Sequence, residues 1–281
     1  MTASKRMMIE AAGLTLCAQI EGPENGATPA LLLHGFTGSA ESMGCVSEPL
    51  ARDRRIARLE LVGHGESEAP QAVDPYRMSS CVAQVLAAVT SLGFERPHLV
   101  GYSMGGRTAL ATVVAAPARF ASVTLIGATA GIADAAARQD RVAADEALAD
   151  RIEREGLEPF VDYWMSLPIF ASQSRLGEES LERARAERLR NRPHGLANSL
   201  RGMGAGAQEP VFDRLGDARL PALLVVGEED EKFRGLAKQL AGSLPDARIE
   251  IIQGVGHAAH LEDPTAFEQT IRAFYSELES A

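Results

Sequence analysis

The sequence predicts an α/β fold, a mostly parallel sheet flanked by helices on both faces and interrupted once by an inserted helical lid. Two patterns predict the sheet. Short apolar runs recur along the chain and end in glycine-containing turns, and helical patterns lie between several of them. The lid is predicted by a third pattern: from about residue 129 to residue 210 no strand-like run occurs, and Arg, Glu, Asp and Ala recur at helical spacing.

Taken in order, Met7 to Glu10 and Leu14 to Ile20 are split by Ala-Ala-Gly and predict a β-hairpin. Ala30 to Leu33 then runs into His-Gly-Phe-Thr-Gly. Comparable runs are Ile56 to Leu61, His98 to Val100, Ser122 to Ile126, Ala222 to Val226 and Arg248 to Ile252. Continuous apolar runs of this length are what strands buried on both faces require. Helices are expected over Ser79 to Leu92, Gly105 to Ala116, Phe233 to Leu244 and Pro264 to Glu279. A chain of 281 residues suits one domain with an insertion. The expected organisation is core over 1–128, lid over 129–210 and core again over 211–281, with no internal repeat or low-complexity linker.

A formal net charge of −10 argues against nucleic acid and anionic membrane surfaces as partners. It leaves room for a small anionic substrate, because a pocket can be locally positive. Cys17, Cys45 and Cys81 are odd in number and widely spaced, which fits buried thiols and neither a disulfide framework nor a metal site. Lys5 and Arg6 open the chain, but Glu10 and Gln19 break up the apolar residues after them, so a cytoplasmic location is expected. Oligomeric state leaves no mark on the sequence.

The chemistry centres on Gly101-Tyr102-Ser103-Met104-Gly105-Gly106, a G-x-S-x-G pattern with a strand before it and a helix after it. Such a turn lifts the serine hydroxyl above the sheet and brings a helix N-terminus beside it. A serine needs a base, and the base needs a carboxylate to fix its tautomer. His257, after the run ending at Ile252, is the expected base. Asp230, after the run ending at Val226, is the expected acid, with Glu228 and Glu229 as rivals. All lie at C-terminal strand ends, where an open α/β sheet binds ligands. The backbone amides of Met104 and Phe36 are the expected oxyanion donors. His34 and His64 suit loop-bracing roles, His260 suits a pocket wall, and His98 and His194 show no partner. No His, Cys, Asp or Glu set has metal-ligand spacing. The many lid arginines are balanced by acids, so composition alone makes them solvated helix faces, and Trp164, the sole tryptophan, is by default a core residue.

These residues predict the α/β-hydrolase fold. Within it the sequence resembles the 2-succinyl-6-hydroxy-2,4-cyclohexadiene-1-carboxylate synthases of menaquinone biosynthesis. The resemblance rests on Gly-Tyr-Ser-Met-Gly-Gly-Arg at 101–107, Trp164 followed by Pro168-Ile169-Phe170-Ala171-Ser172, and Leu189-Arg190-Asn191. Two later segments also carry it, Gly-Glu-Glu-Asp-Glu-Lys-Phe at 227–233 and Gly-His-Ala-Ala-His-Leu-Glu-Asp-Pro at 256–264. Phe212, in place of an expected tryptophan, and Glu209, in a proline-rich turn, depart from the pattern. The resemblance implies a pyruvate-eliminating lyase without a cofactor. It also implies substrate contacts from Tyr102, Arg107, Arg141, Trp164 and Arg190, with Arg138 as the rival of Arg141. A hydrolase of an ester or carbon–carbon bond would use the same triad. A non-catalytic binding protein would not need the triad intact.

Overall fold

The structure, a computed structural model, describes residues 4–280. The expected hairpin forms from β1 (Lys5–Ala11) and β2 (Leu14–Glu21), turning through Ala12 and Gly13 at positive φ. Next come β3 (Ala27–Leu33), α1 (Gly44–Leu50), β4 (Arg54–Leu59), α2 (Met78–Ser91), β5 (His98–Tyr102), α3 (Met104–Ala115) and β6 (Ser122–Ile126). The lid helices are α4 (Ala135–Glu155), α5 (Leu157–Met165), α6 (Glu178–Arg188) and α7 (Pro193–Met203). The core then resumes with β7 (Ala222–Gly227), α8 (Glu231–Ala241), β8 (Ala247–Ile252), the short α9 (Ala259–Glu262) and α10 (Pro264–Ser280).

The sheet has eight strands in the order β1-β2-β4-β3-β5-β6-β7-β8. Only the β1/β2 and β2/β4 pairs are antiparallel. Successive residues of the central strands enter opposite cores, as the period of two demands. Leu31, Leu33, Leu99 and Leu224 pack with the buried residues of α2, α3 and α8. Ala30, Leu32, Val100, Leu223 and Val225 pack with those of α1 and α10. Such strands read as unbroken apolar runs because neither face meets water.

Between β6 and β7 the described residues form helices and turns and no strand. The lid carries its own apolar cluster of Ala149, Ile152, Phe160, Val161, Leu196, Ala197 and Leu200. Arg201 of α7 fastens α4 by pairing with Glu146, Asp150 and Glu153 at 2.7–3.0 Å. The other side of α7 is held to the core through backbone carbonyls: Asn198 Nδ2 donates to those of Pro70 and Gln71, and His194 Nε2 bonds that of Ala69.

Three expectations are corrected. Strand β4 begins at Arg54 and stops at Leu59, earlier than the apolar run suggested. Two of its three arginines are buried, Arg54 pairing with Glu279 at 2.8 Å and Arg58 with Glu21 at 3.1 Å, so the strand interior carries charge that hydropathy reads as exterior. Helix α1 was not expected; it starts at a glycine, contains Pro49, and is held by burial of Val46 and Leu50 rather than by propensity. His98 and His194 do have partners: His98 Nδ1 bonds Ser122 Oγ at 2.7 Å and its ring stacks on Tyr275 at 3.9 Å, while His194 bonds the Ala69 carbonyl at 3.0 Å. The cysteines are free; burial pushes all three thiols up to about 12.

Candidate active site

Ser103 occupies the turn between β5 and α3 at φ +50° and ψ −108°, a conformation that L residues rarely adopt. The flanking glycines make the turn possible. A Cβ on Gly101 would lie 2.3 Å from the Gly105 carbonyl oxygen, and one on Gly105 would lie 2.3 Å from that of Leu33. Only bare backbone fits between the strand and the first helical turn.

His257 stands in the turn after β8, its Nε2 3.2 Å from Ser103 Oγ. Its Nδ1 donates to Asp230 Oδ2 at 2.7 Å, which leaves Nε2 as the basic nitrogen facing the serine. Asp230 caps α8: its other oxygen accepts from the Phe233 amide at 3.2 Å. One carboxylate thus satisfies a helix end and a histidine at once, and cannot rotate away from either. The rivals point elsewhere, Glu228 to the Gly254 amide and Glu229 to Arg175. The rings of Phe233 and Tyr102, 4.4 and 5.4 Å from that of His257, shield the imidazole from bulk water.

Met104 supplies the first amide of α3, a position with no intrahelical acceptor. Phe36 lies in a turn closed by Gly38 N–H donating to the Gly35 carbonyl at 3.1 Å. His34 braces that turn. Its Nδ1 donates to the same carbonyl at 2.8 Å, and its Nε2 accepts from the Leu61 amide at 3.1 Å. Burial lowers His34 to about 4, so it stays neutral in this one tautomer. Gly35 is required because a Cβ there would sit 2.7 Å from the Tyr102 ring.

Ser103, Met104, Phe36 and His257 all open onto a cavity of about 380 Å³ between core and lid. Phe36, Trp164, Phe170 and Phe212 give it an aromatic wall, with Trp164 edge-on to Phe36 at 5.1 Å between ring centres. Among the described residues three cations line it, Arg107, Arg141 and Lys232, and no carboxylate does. Arg141 also pairs with Asp145 at 2.8 Å, whereas its rival Arg138 bonds the Ile132 carbonyl and stays out of the lining. Arg107 is buried; burial and the nearby Arg141 charge lower it to about 10, so it remains a cation at neutral pH.

Two of the expected substrate contacts lie outside this lining. Tyr102 packs beneath it, against Gly35 and 4.5 Å from the ring of His260, and burial raises its phenol. Arg190 forms an ion pair with Glu41 on the outer side, because Leu189 turns inward to the lid cluster. Lys232 is a cavity cation that the sequence did not single out. It stands within the conspicuous 227–233 segment, yet only the folded chain shows which neighbour of Asp230 faces the cavity. Among the described residues no group of three or more His, Cys, Asp or Glu could hold a metal ion, and no helix is long and apolar enough to cross a membrane.

Comparison with known proteins gives this geometry a lineage. Residues 28–264 match the α/β-hydrolase fold family. A Bacillus subtilis protein assigned as a 2-succinyl-6-hydroxy-2,4-cyclohexadiene-1-carboxylate synthase is 38% identical over 95% of this chain and 96% of its own. The synthase of that name from Serratia proteamaculans is 31% identical over 86% of this chain and 91% of its own. The structure of MenH from S. aureus superposes with a TM-score of 0.89 at 28% identity, covering 93% of this chain and 98% of that one. The chain therefore belongs to the α/β-hydrolase superfamily and, within it, to the 2-succinyl-6-hydroxy-2,4-cyclohexadiene-1-carboxylate synthase family.

Proposed function

We propose that the protein is a lyase that eliminates pyruvate from 2-succinyl-5-enolpyruvyl-6-hydroxy-3-cyclohexene-1-carboxylate. One observation carries this reading beyond the family's name. In a chain of net charge −10, the cavity beside Ser103 is lined by three cations and no carboxylate. Such a wall suits a substrate bearing several carboxylates, which guanidinium groups bind bidentately.

In this reading Arg107 and Arg141 hold carboxylates while Trp164 and Phe36 cover the ring. The proton to be lost is on the carbon α to the succinyl ketone. Ser103 Oγ takes that proton as its own passes to His257 Nε2, and Asp230 stabilises the imidazolium formed. The ketone oxygen becomes an enolate oxygen, held by the Met104 and Phe36 amides. As the enolate collapses, the double bonds shift along the ring and the carbon–oxygen bond to enolpyruvate breaks with its electron pair. The product is a diene conjugated with the ketone, and the released enolpyruvate takes a proton and becomes pyruvate. Every role falls to the chain's own residues.

The test is pyruvate release together with diene absorbance from freshly made substrate, with buffer, Ser103→Ala and Arg141→Ala as comparisons. Release far above buffer is expected in the wild type. It should be lost in Ser103→Ala and weakened about 10-fold or more in Arg141→Ala, the scale of one charged hydrogen bond. A wild type no faster than buffer would refute the lyase reading and turn attention to ester and carbon–carbon hydrolysis by the same triad.

A further inference from the structure

Arg107 is the most buried of the three cavity cations, and the way its charge is held is unusual. Burying a guanidinium is costly unless a carboxylate neutralises it. The chain has 38 acidic residues, yet among the described residues none forms an ion pair with Arg107. The near carboxylate, Asp145, has its Oδ1 on Arg141 Nε instead. The side-chain acceptor on Arg107 is an amide: its Nη1 donates to Gln208 Oε1 at 2.7 Å. Because a guanidinium only donates, the amide must present oxygen to it.

We propose that Gln208 is a positioning residue, which holds Arg107 through a neutral acceptor and so keeps an unneutralised charge at the cavity for a carboxylate of the substrate. The inference rests on the anionic substrate class proposed above. Gln208 is fully buried and lies in the segment where the lid returns to the core, its backbone N–H donating to the Gly204 carbonyl at 3.1 Å. Arg107 belongs to α3 of the core. The bond therefore ties lid to core at the cation and fixes one arm of the fork while others remain for a ligand. A glutamate here would have the same shape. It would also lose no bond made by Gln208 Nε2, which has no hydrogen-bond partner among the described residues. It would, however, neutralise Arg107. The site would then select less strongly for carboxylates over neutral molecules of the same shape.

Trp164, the sole tryptophan, lines the cavity, so its fluorescence reports occupancy. Succinate and its uncharged dimethyl ester serve as probes for wild type, Gln208→Glu and Gln208→Met. The expected result is a rise of about 10-fold or more in the succinate Kd for Gln208→Glu, with the ester titration unchanged. Gln208→Met keeps the volume and Arg107's charge but removes the acceptor; a smaller rise of about 3-fold is expected, again for succinate alone. Unchanged succinate binding in both variants, or equal losses for succinate and ester, would overturn the proposal. If the Glu variant does not fold, Gln208→Met decides alone, since loss of succinate preference supports the holding role and unchanged preference refutes it. With the enolpyruvyl substrate the same substitution should raise KM and leave kcat within about 3-fold. A wild type inactive on that substrate would refute the lyase, while the succinate titrations would still judge Gln208.

Discussion

Gly35→Ala probes the contact on which the Phe36 turn rests. The new methyl would lie 2.7 and 2.8 Å from Cδ1 and Cε1 of Tyr102. Carbon atoms settle about 3.5 Å apart, so roughly 0.8 Å must be found. Gly35 is not in the left-handed region, so the cost is steric and not conformational. The Tyr102 ring has little room to retreat, because His260 packs against it at 4.5 Å and is itself fully buried. Overpacking of this kind costs about 1–3 kcal/mol. Urea unfolding of wild type, Gly35→Ala, Tyr102→Leu and the double variant isolates the contact. The alanine should cost about 1–3 kcal/mol beside tyrosine and less than about 0.5 kcal/mol beside leucine. An equal cost in both backgrounds would refute the reasoning. Where the turn yields instead of the ring, the Phe36 amide moves with it, and in the proposed mechanism misplacement approaching 1 Å lowers the rate by about 10²-fold.

Two further expectations concern the lid and the buried imidazoles. Arg201→Met leaves Glu146, Asp150 and Glu153 without their shared cation. It should lower stability by about 1–2 kcal/mol, with partial recovery in high salt, and speed hydrogen exchange in α4 and α7 but not in the central strands. Burial lowers His34 to about 4 and both His64 and His260 to about 3, from 6.5. The folded state holds these groups neutral, so their contribution is complete above pH 6.5 and is lost as pH falls towards the folded values. The slope approaches about 1.4 kcal/mol per pH unit for each histidine. Urea midpoints at pH 7 and pH 5 check this, and a midpoint unmoved between them would exclude it.

Much of the sheet, and the hydrogen-bonded meeting of Ser103, His257 and Asp230, was legible in the sequence for one reason. A strand buried on both faces has to be apolar throughout, and its C-terminal end has to turn sharply, so Ser103, Asp230 and His257 each stand just past an apolar run. The features that escaped depend on partners far along the chain. Nothing near Arg54 announces Glu279, and nothing near His98 announces Ser122 or Tyr275. Helix α1 escaped because its residues favour other structures and packing overrides them. The lid was legible as helix but not as geometry. Arg141 and Arg190 look alike as letters, yet one lines the cavity and the other pairs with Glu41 outside it. Gln208 gave no signal, since its importance lies in not being an acid.

The positive φ of Ser103 also bears on how such a protein can evolve. Glycine would relieve that backbone at no steric cost, so selection for stability alone pushes this position towards the residue with no side chain. A stabilising screen blind to activity would therefore favour loss of the hydroxyl that the proposed reaction uses. In the proposed mechanism, thermal robustness and chemistry therefore compete for this single residue.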